Sequence, residues 1–251
     1  MANSFPEVTV VPIVDSDHSD QYAGVLKQAA AAHKAVDYTL PIGSLMTHFR
    51  NERNAFTGAP YLSATREAYL RWNKPVAKTK SGRLRIGLCW ASNPAPDRFF
   101  SARRARSKTM PLAVMAQLAG TISADFISLT NVALSEFEYD ADSMPVIIEY
   151  SDKLNDLNET AALIDTLDLV ITVDTAVAHL AGAVGTKTWL LLHQGGDARW
   201  GSPDDSTSYW YDSMEIFWQA NNGDWPELID RVSQRLRTFD SGKEGPTVGK
   251  K

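Results

Sequence analysis

A chain of 251 residues with 44% hydrophobic residues can fill one large or two small cores, so an ordinary globular protein is expected. Its net charge of −5 gives no general attraction for nucleic acid or an anionic membrane, and any anion site must be local. A single cysteine, Cys89, excludes an intrachain disulfide and a cysteine-rich metal site and fits a reducing, cytoplasmic compartment. No apolar run approaches the ~20 residues of a membrane helix, and the first seven residues lack the basic and apolar segments of a secretion signal.

Residues 8–14 and 38–42 read as strands on either side of a helix over 21–33, with Pro41, Gly43 and Pro60 as punctuation. Residues 61–80 read as a helix ending in a lysine-bearing linker, which closes an amino-terminal α/β domain over 1–80. Over 81–239 short apolar strands alternate with amphipathic helices. The strands fall at 84–90, 125–129, 146–149, 169–173, 188–192 and 214–218, and the helices at 111–119, 157–167, 176–184 and 226–239. That alternation predicts a Rossmann-like, doubly wound parallel sheet covered on both faces. Asp156 and Glu159 have capping-box spacing, and Leu157, Ala161, Ile164 and Leu167 then share one helix face. Residues 240–251 have the composition of a disordered tail.

In the usual doubly wound order the first and fourth of these strands are neighbours, and the chain leaves them in opposite directions. A crevice opens at their carboxyl ends, and ligands bind there. Two unusual segments meet it. After 169–173 come Asp174 and Thr175, then a helix rich in small residues, Ala176, Ala178, Ala181, Gly182 and Ala183. Its N-terminus is suited to a diphosphate, although Asp174 or Thr175 serving simply as a cap explains the motif equally well. His179, one turn in, is placed to donate to a phosphate or sugar hydroxyl, against the commoner structural role of a helical histidine.

The loop 93–108 carries five cations in an acidic protein. Arg106 and Lys108, nearest the following helix, are the expected anion clamp, because each charge-assisted bond to a phosphate contributes about 1.5–3 kcal/mol. The loop 194–200 is in reach of the same crevice. Tyr209, Trp210, Tyr211 and Trp218 offer stacking surfaces for a base, or packing between the last strand and its helix.

In order and spacing, several segments resemble the glycosyltransferase-like module that follows tetratricopeptide repeats in many bacterial proteins, a relative of the lipopolysaccharide heptosyltransferases of the two-domain GT-B type. They are 37–45, 87–94, Arg106-Ser107 with Met110-Pro111-Leu112, 126–129, Trp210-Tyr211 through Trp225 and, above all, 168–185. The resemblance implies a nucleoside-diphosphate sugar held by Asn93, Arg106, Ser107, Lys108, Asp174, Thr175, Ala176, His179, Arg199 and Trp200. No metal and no further cofactor are expected, because the crevice loops 93–108 and 194–200 carry no Asp-x-Asp pair and no His/Cys cluster with ligand spacing. Heptosyltransferases carry glycine where Ala176 stands, and the loop at Asp197-Ala198-Arg199-Trp200 lacks an internal tryptophan of the family.

In those relatives the base and acceptor contacts come from an amino-terminal domain that opens with a glycine-rich turn, and nothing here matches it. The expectation is a sugar transferase with a reduced acceptor domain, in which Asp15, Asp17 and His18 are the only amino-terminal cluster able to supply a base. Self-association or a partner chain would cover the shortened domain. The alternative is a binding or structural protein that keeps the fold without catalysis.

Overall fold

The computed structural model of the protein describes residues 4–8, 24, 27, 31, 38, 40–77, 82–91, 107–137 and 145–242. Two compact units are present, Met1–Thr57 and Gly58–Lys251. In the first, Gly24, Lys27 and Ala31 are helical, and a 3-10 turn at Ile42–Ser44 leads into helix α1 (Leu45–Phe49). The strand expected at 38–42 is not formed: Tyr38, Leu40 and Pro41 lie outside regular structure and Ile42 opens the turn. Pro41 has no N–H for a ladder, and its carbonyl instead accepts the Ser44 N–H at 2.9 Å, which starts the turn. The strand expected at 8–14 lies outside the described residues except for Val8, whose N–H donates to Phe5 O.

The second unit begins at Gly58, ahead of helix α2 (Arg66–Ala77) and not after it. Its center is a five-stranded parallel sheet of β1 (Arg85–Cys89), β2 (Asp125–Ser128), β3 (Leu169–Val173), β4 (Thr188–Leu192) and β5 (Met214–Trp218), in the order β2-β1-β3-β4-β5. Of the expected strand at 146–149, only Ile148 pairs, bridging Ile127 on the outer side of β2. The doubly wound order survives with its last position reduced to one residue.

Helices α3 (Leu112–Met115), α4 (Leu157–Ile164), α5 (Ala176–Val184) and α6 (Trp225–Asp240) cover the sheet. The alternation of strand side chains sorts the core. Leu169, Ile171 and Val173 face Met115, Leu228 and Val232 on one side, while Val170 and Ile127 face Ala161, Leu163 and Ile164 on the other.

Helix α4 stops at Ile164 rather than continuing to residue 167, because the Thr166 and Leu167 N–H groups turn back to Leu163 O and Ile164 O in 3-10 fashion. Leu167 remains buried, but Leu157 is 64% exposed and is not on the buried face expected for it. Asp156 does cap α4 through Glu159 N at 2.8 Å. The reciprocal half of a capping box is absent, since the Glu159 carboxylate accepts from Trp72 Nε1 at 2.8 Å and pairs with Arg71. That pair of contacts fastens α2 to α4.

The helix expected at 111–119 is α3 followed by a 3-10 segment, Ala116–Gly120. Helix α6 runs through Asp240, and the rest of the expected tail, from 243, lies outside the described residues. No helix among the described residues is long and apolar enough to cross a membrane.

Candidate functional site

Strands β1 and β3 are adjacent, and their crevice opens into a cavity of about 1000 Å³. Cys89 and Ala91 line it after β1, Thr130 and Asn131 after β2, and Thr175 and Ala176 at the head of α5. Leu129, Val132, Phe137 and Leu154 give it an apolar wall. Its size is that of a site for a substantial small molecule, for which ~300–1,000 Å³ is usual.

The head of α5 is built by Thr175, whose backbone is extended and whose hydroxyl accepts the Val177 N–H at 3.2 Å. The same hydroxyl lies 3.3 Å from Thr172 Oγ1 and 3.6 Å from the Cys89 thiol. Burial pushes that thiol up, and the Thr175 contact opposes the shift only in part, so Cys89 is a packed thiol and not a thiolate nucleophile. The capping reading of Thr175 therefore holds. Ala176, exposed beside it, lines the cavity. The helix closes at Gly185, whose φ of 90° suits glycine.

Asp174 is buried at 6% exposure and paired with Lys108 across the crevice. The Lys108 cation, reaching in just ahead of Met110 and α3, thus offsets a carboxylate that would otherwise repel an anion at the helix head. Ser107 is exposed at the start of the same turn. Arg106 and Asn93 lie outside the described residues, as do Asp15, Asp17 and His18.

His179 stands one turn into α5. Its Nδ1 is 3.1 Å from Tyr211 Oη, its Nε2 is 3.4 Å from Arg199 Nη1, and its ring stacks on Trp200 with centroids 4.6 Å apart. Burial foremost, then the Arg199 charge, holds the imidazole below its ordinary pKa, while Asp174 pulls the other way. Trp200 is fully buried and packs with Tyr211 against Leu190 and Leu192. Tyr211 presses on Gly182 of α5, and Trp218 Nε1 donates to Asp205 O at 3.0 Å. Tyr211 and Trp218 do pack, but with Trp200 on the α5 side of the sheet, not between the last strand and its helix α6 as expected.

The sequence reading missed Tyr211 as the partner of His179 and Asp197 as the anchor of Arg199. The first had one legible signal, a small residue, Gly182, one turn beyond His179 and able to admit a ring. The second had none beyond the Asp-x-Arg spacing. Among the described residues no cluster of three or more His, Cys, Asp or Glu is placed to hold a metal ion.

Residues 153–222 match Glycosyltransferase family 9 (heptosyltransferase), a stretch that includes Asp174, Thr175, His179 and Arg199. Protein FlbA of Caulobacter vibrioides is 28% identical over 208 residues, which is 81% of this chain and 33% of that protein. The chain thus spans about a third of the curated relative it matches. Among solved structures, the glycosyl transferase family 9 protein of Veillonella parvula aligns over 94% of this chain and 64% of its own, at 14% identity and a TM-score of 0.50. The ADP-heptose lps heptosyltransferase II of E. coli aligns over 74% of this chain and 56% of its own, at 15% identity and a TM-score of 0.49. The Veillonella likeness is one of fold, a GT-B-type α/β arrangement in which this parallel sheet takes part.

Proposed function

We propose that the crevice between β1 and β3 binds a nucleoside-diphosphate sugar and that the chain serves sugar transfer without a bound metal. The observation that carries this reading is the α5 head, which opens into a cavity of nucleotide size with a lysine beside it. The positive end of the helix dipole, the Ala176 backbone and Lys108 together favour a diphosphate, and the apolar wall at Leu129, Val132, Phe137 and Leu154 suits a base. The family match over 153–222 supports the same assignment.

Transfer would proceed by loss of the nucleoside diphosphate from the sugar carbon as an acceptor oxygen attacks. The charge that grows on the leaving phosphate is stabilised by fixed groups that need no reorganisation. The acceptor must be oriented and deprotonated by other residues, either the cluster Asp15, Asp17 and His18 or a second chain. The test is a hydrolysis and transfer panel of UDP-, ADP- and GDP-sugars on the purified chain, alone and in its cellular assembly. Release of one diphosphate in preference to the others, unaffected by EDTA, is the expected result. No release from any donor in either preparation would reduce the proposal to binding without catalysis.

A further inference from the structure

The two nitrogens of His179 have different partners, and one of those partners fixes the proton. A guanidinium nitrogen only donates, so Arg199 Nη1 at 3.4 Å requires a lone pair on His179 Nε2. The ring proton is then on Nδ1 and is donated to Tyr211 Oη at 3.1 Å. Tyr211 Oη in turn lies 3.4 Å from Tyr61 Oη. Its ring cannot drift, since it is trapped against Gly182. The imidazole is clamped as well, by its stack on Trp200. With both nitrogens engaged, His179 has no hydrogen left to give a ligand.

Arg199 is in the opposite position. Its Nε and Nη2 grip the Asp197 carboxylate at 3.0 and 3.1 Å, and Nη1 rests on His179. A guanidinium carries five N–H groups, so among the described residues two have no partner, one on each terminal nitrogen, on a side chain 49% exposed. A pair of N–H groups on one planar fork matches the oxygens of a phosphate. The charged groups acting on His179 are Arg199 and Asp197 from the loop after β4, Asp174 from the turn after β3 and Lys108 from the segment before α3. Arg199 and Lys108 thus bring one cation each to the first turns of α5 from two separate loops, each already ion-paired, with Asp197 and Asp174 respectively.

We propose that His179, held as its Nδ1–H tautomer by Tyr211, is a positioning residue whose Nε2 aims Arg199 at the diphosphate of the donor, so that Arg199 is the second cation of the site beside Lys108. This rests on the nucleotide-sugar reading above. It reverses the role expected of His179 from sequence, making it an acceptor for a protein group and not a donor to the ligand.

The test has one arm that needs no ligand. Long-range ¹H–¹⁵N correlation spectra of the full, labelled chain at neutral pH should show His179 protonated at Nδ1, and protonation at Nε2 would overturn the inference. The second arm is a calorimetric double-mutant cycle with whichever of UDP, ADP or GDP binds best. Arg199→Gln should weaken binding about tenfold, equivalent to ~1.4 kcal/mol. His179→Ala should weaken it severalfold, and the double variant should lose no more than Arg199→Gln alone. Circular dichroism checks that each variant is folded. Multiplying losses would mean that His179 touches the ligand itself and would overturn this inference while leaving the nucleotide site intact. Absence of binding in the wild-type chain would overturn the nucleotide reading and the Arg199 role with it.

Discussion

Gly182→Ala sets two opposing effects against each other within α5. In a helix interior alanine is favoured over glycine by about 1 kcal/mol. A Cβ at position 182, however, would lie 2.3 Å from Tyr211 Cγ and 2.7 Å from both Cδ atoms. Cγ is one bond from the Tyr211 Cβ, so the ring cannot swing away as a flexible chain end would, and the residue is only 4% exposed. Overpacking of this kind costs about 1–3 kcal/mol, and a contact this close belongs at the upper end of that range. The net expectation is a loss of about 1–2 kcal/mol, or a fall in Tm of roughly 2–8 °C for a unit of this size.

Urea unfolding followed by circular dichroism measures the loss. Gly120→Ala is the comparison, because a Cβ there meets nothing nearer than Pro145 Cγ at 3.8 Å. That variant should stay within about 0.5 kcal/mol of wild type. If Gly182→Ala were as stable as wild type or more so, the close packing of Tyr211 on α5, and with it the fixed position of His179, would be wrong.

Thr175→Ala removes the side-chain cap of α5 and should cost about 1 kcal/mol in the same assay, with Thr175→Ser recovering most of it; an unchanged midpoint would contradict the cap. Trp72, 3% exposed, ties α2 to α4, so Trp72→Ala should cost about 3–5 kcal/mol. A loss below about 1 kcal/mol would detach α2 from the sheet-containing unit. The lowered pKa of His179 means that between its folded value and the ordinary 6.5 the unfolded chain binds a proton the folded chain refuses. The shift therefore costs nothing above pH 6.5, and the fold loses stability as pH falls from 6.5 toward the folded value. The difference in stability between wild type and His179→Gln should follow that window, and a difference constant across it would refute the assignment.

The sequence was most legible where local signals and tertiary demand agree. β3, α5, β4 and β5 begin and end where they were expected, because a fully apolar strand runs into a Thr cap, a helix of small residues and then Gly185 in the left-handed conformation. It misled where a backbone hydrogen bond intervened, as at Pro41, where an apparent strand is drawn into a turn, and at Thr166, where α4 is stopped one turn early. At 146–149 a short apolar run pairs only through Ile148, leaving Val146 82% exposed.

At the crevice, the positions of Asp174 and Thr175 at the strand end and helix head, and of Lys108 ahead of α3, were legible because helix heads and strand ends declare themselves in sequence. The His179–Tyr211 and Arg199–Asp197 contacts were not, because Tyr211 reaches α5 from a segment beyond β4 that no periodicity links to it. The role of Glu159 was hidden for the same reason: its spacing from Asp156 is that of a capping box, but a tryptophan on α2 claims its carboxylate.

Calorimetric titration of wild type and Ala176→Glu with UDP, ADP and GDP tests whether a nucleoside diphosphate binds at the head of α5. A glutamate in the first turn of a helix favours its dipole, so the variant should fold as well as wild type, but its carboxylate would stand where the diphosphate is expected. Wild type should bind at least one diphosphate saturably, unchanged by EDTA, and Ala176→Glu should bind it at least tenfold more weakly. If no diphosphate bound, or if Ala176→Glu bound as tightly as wild type, the site would not be at α5.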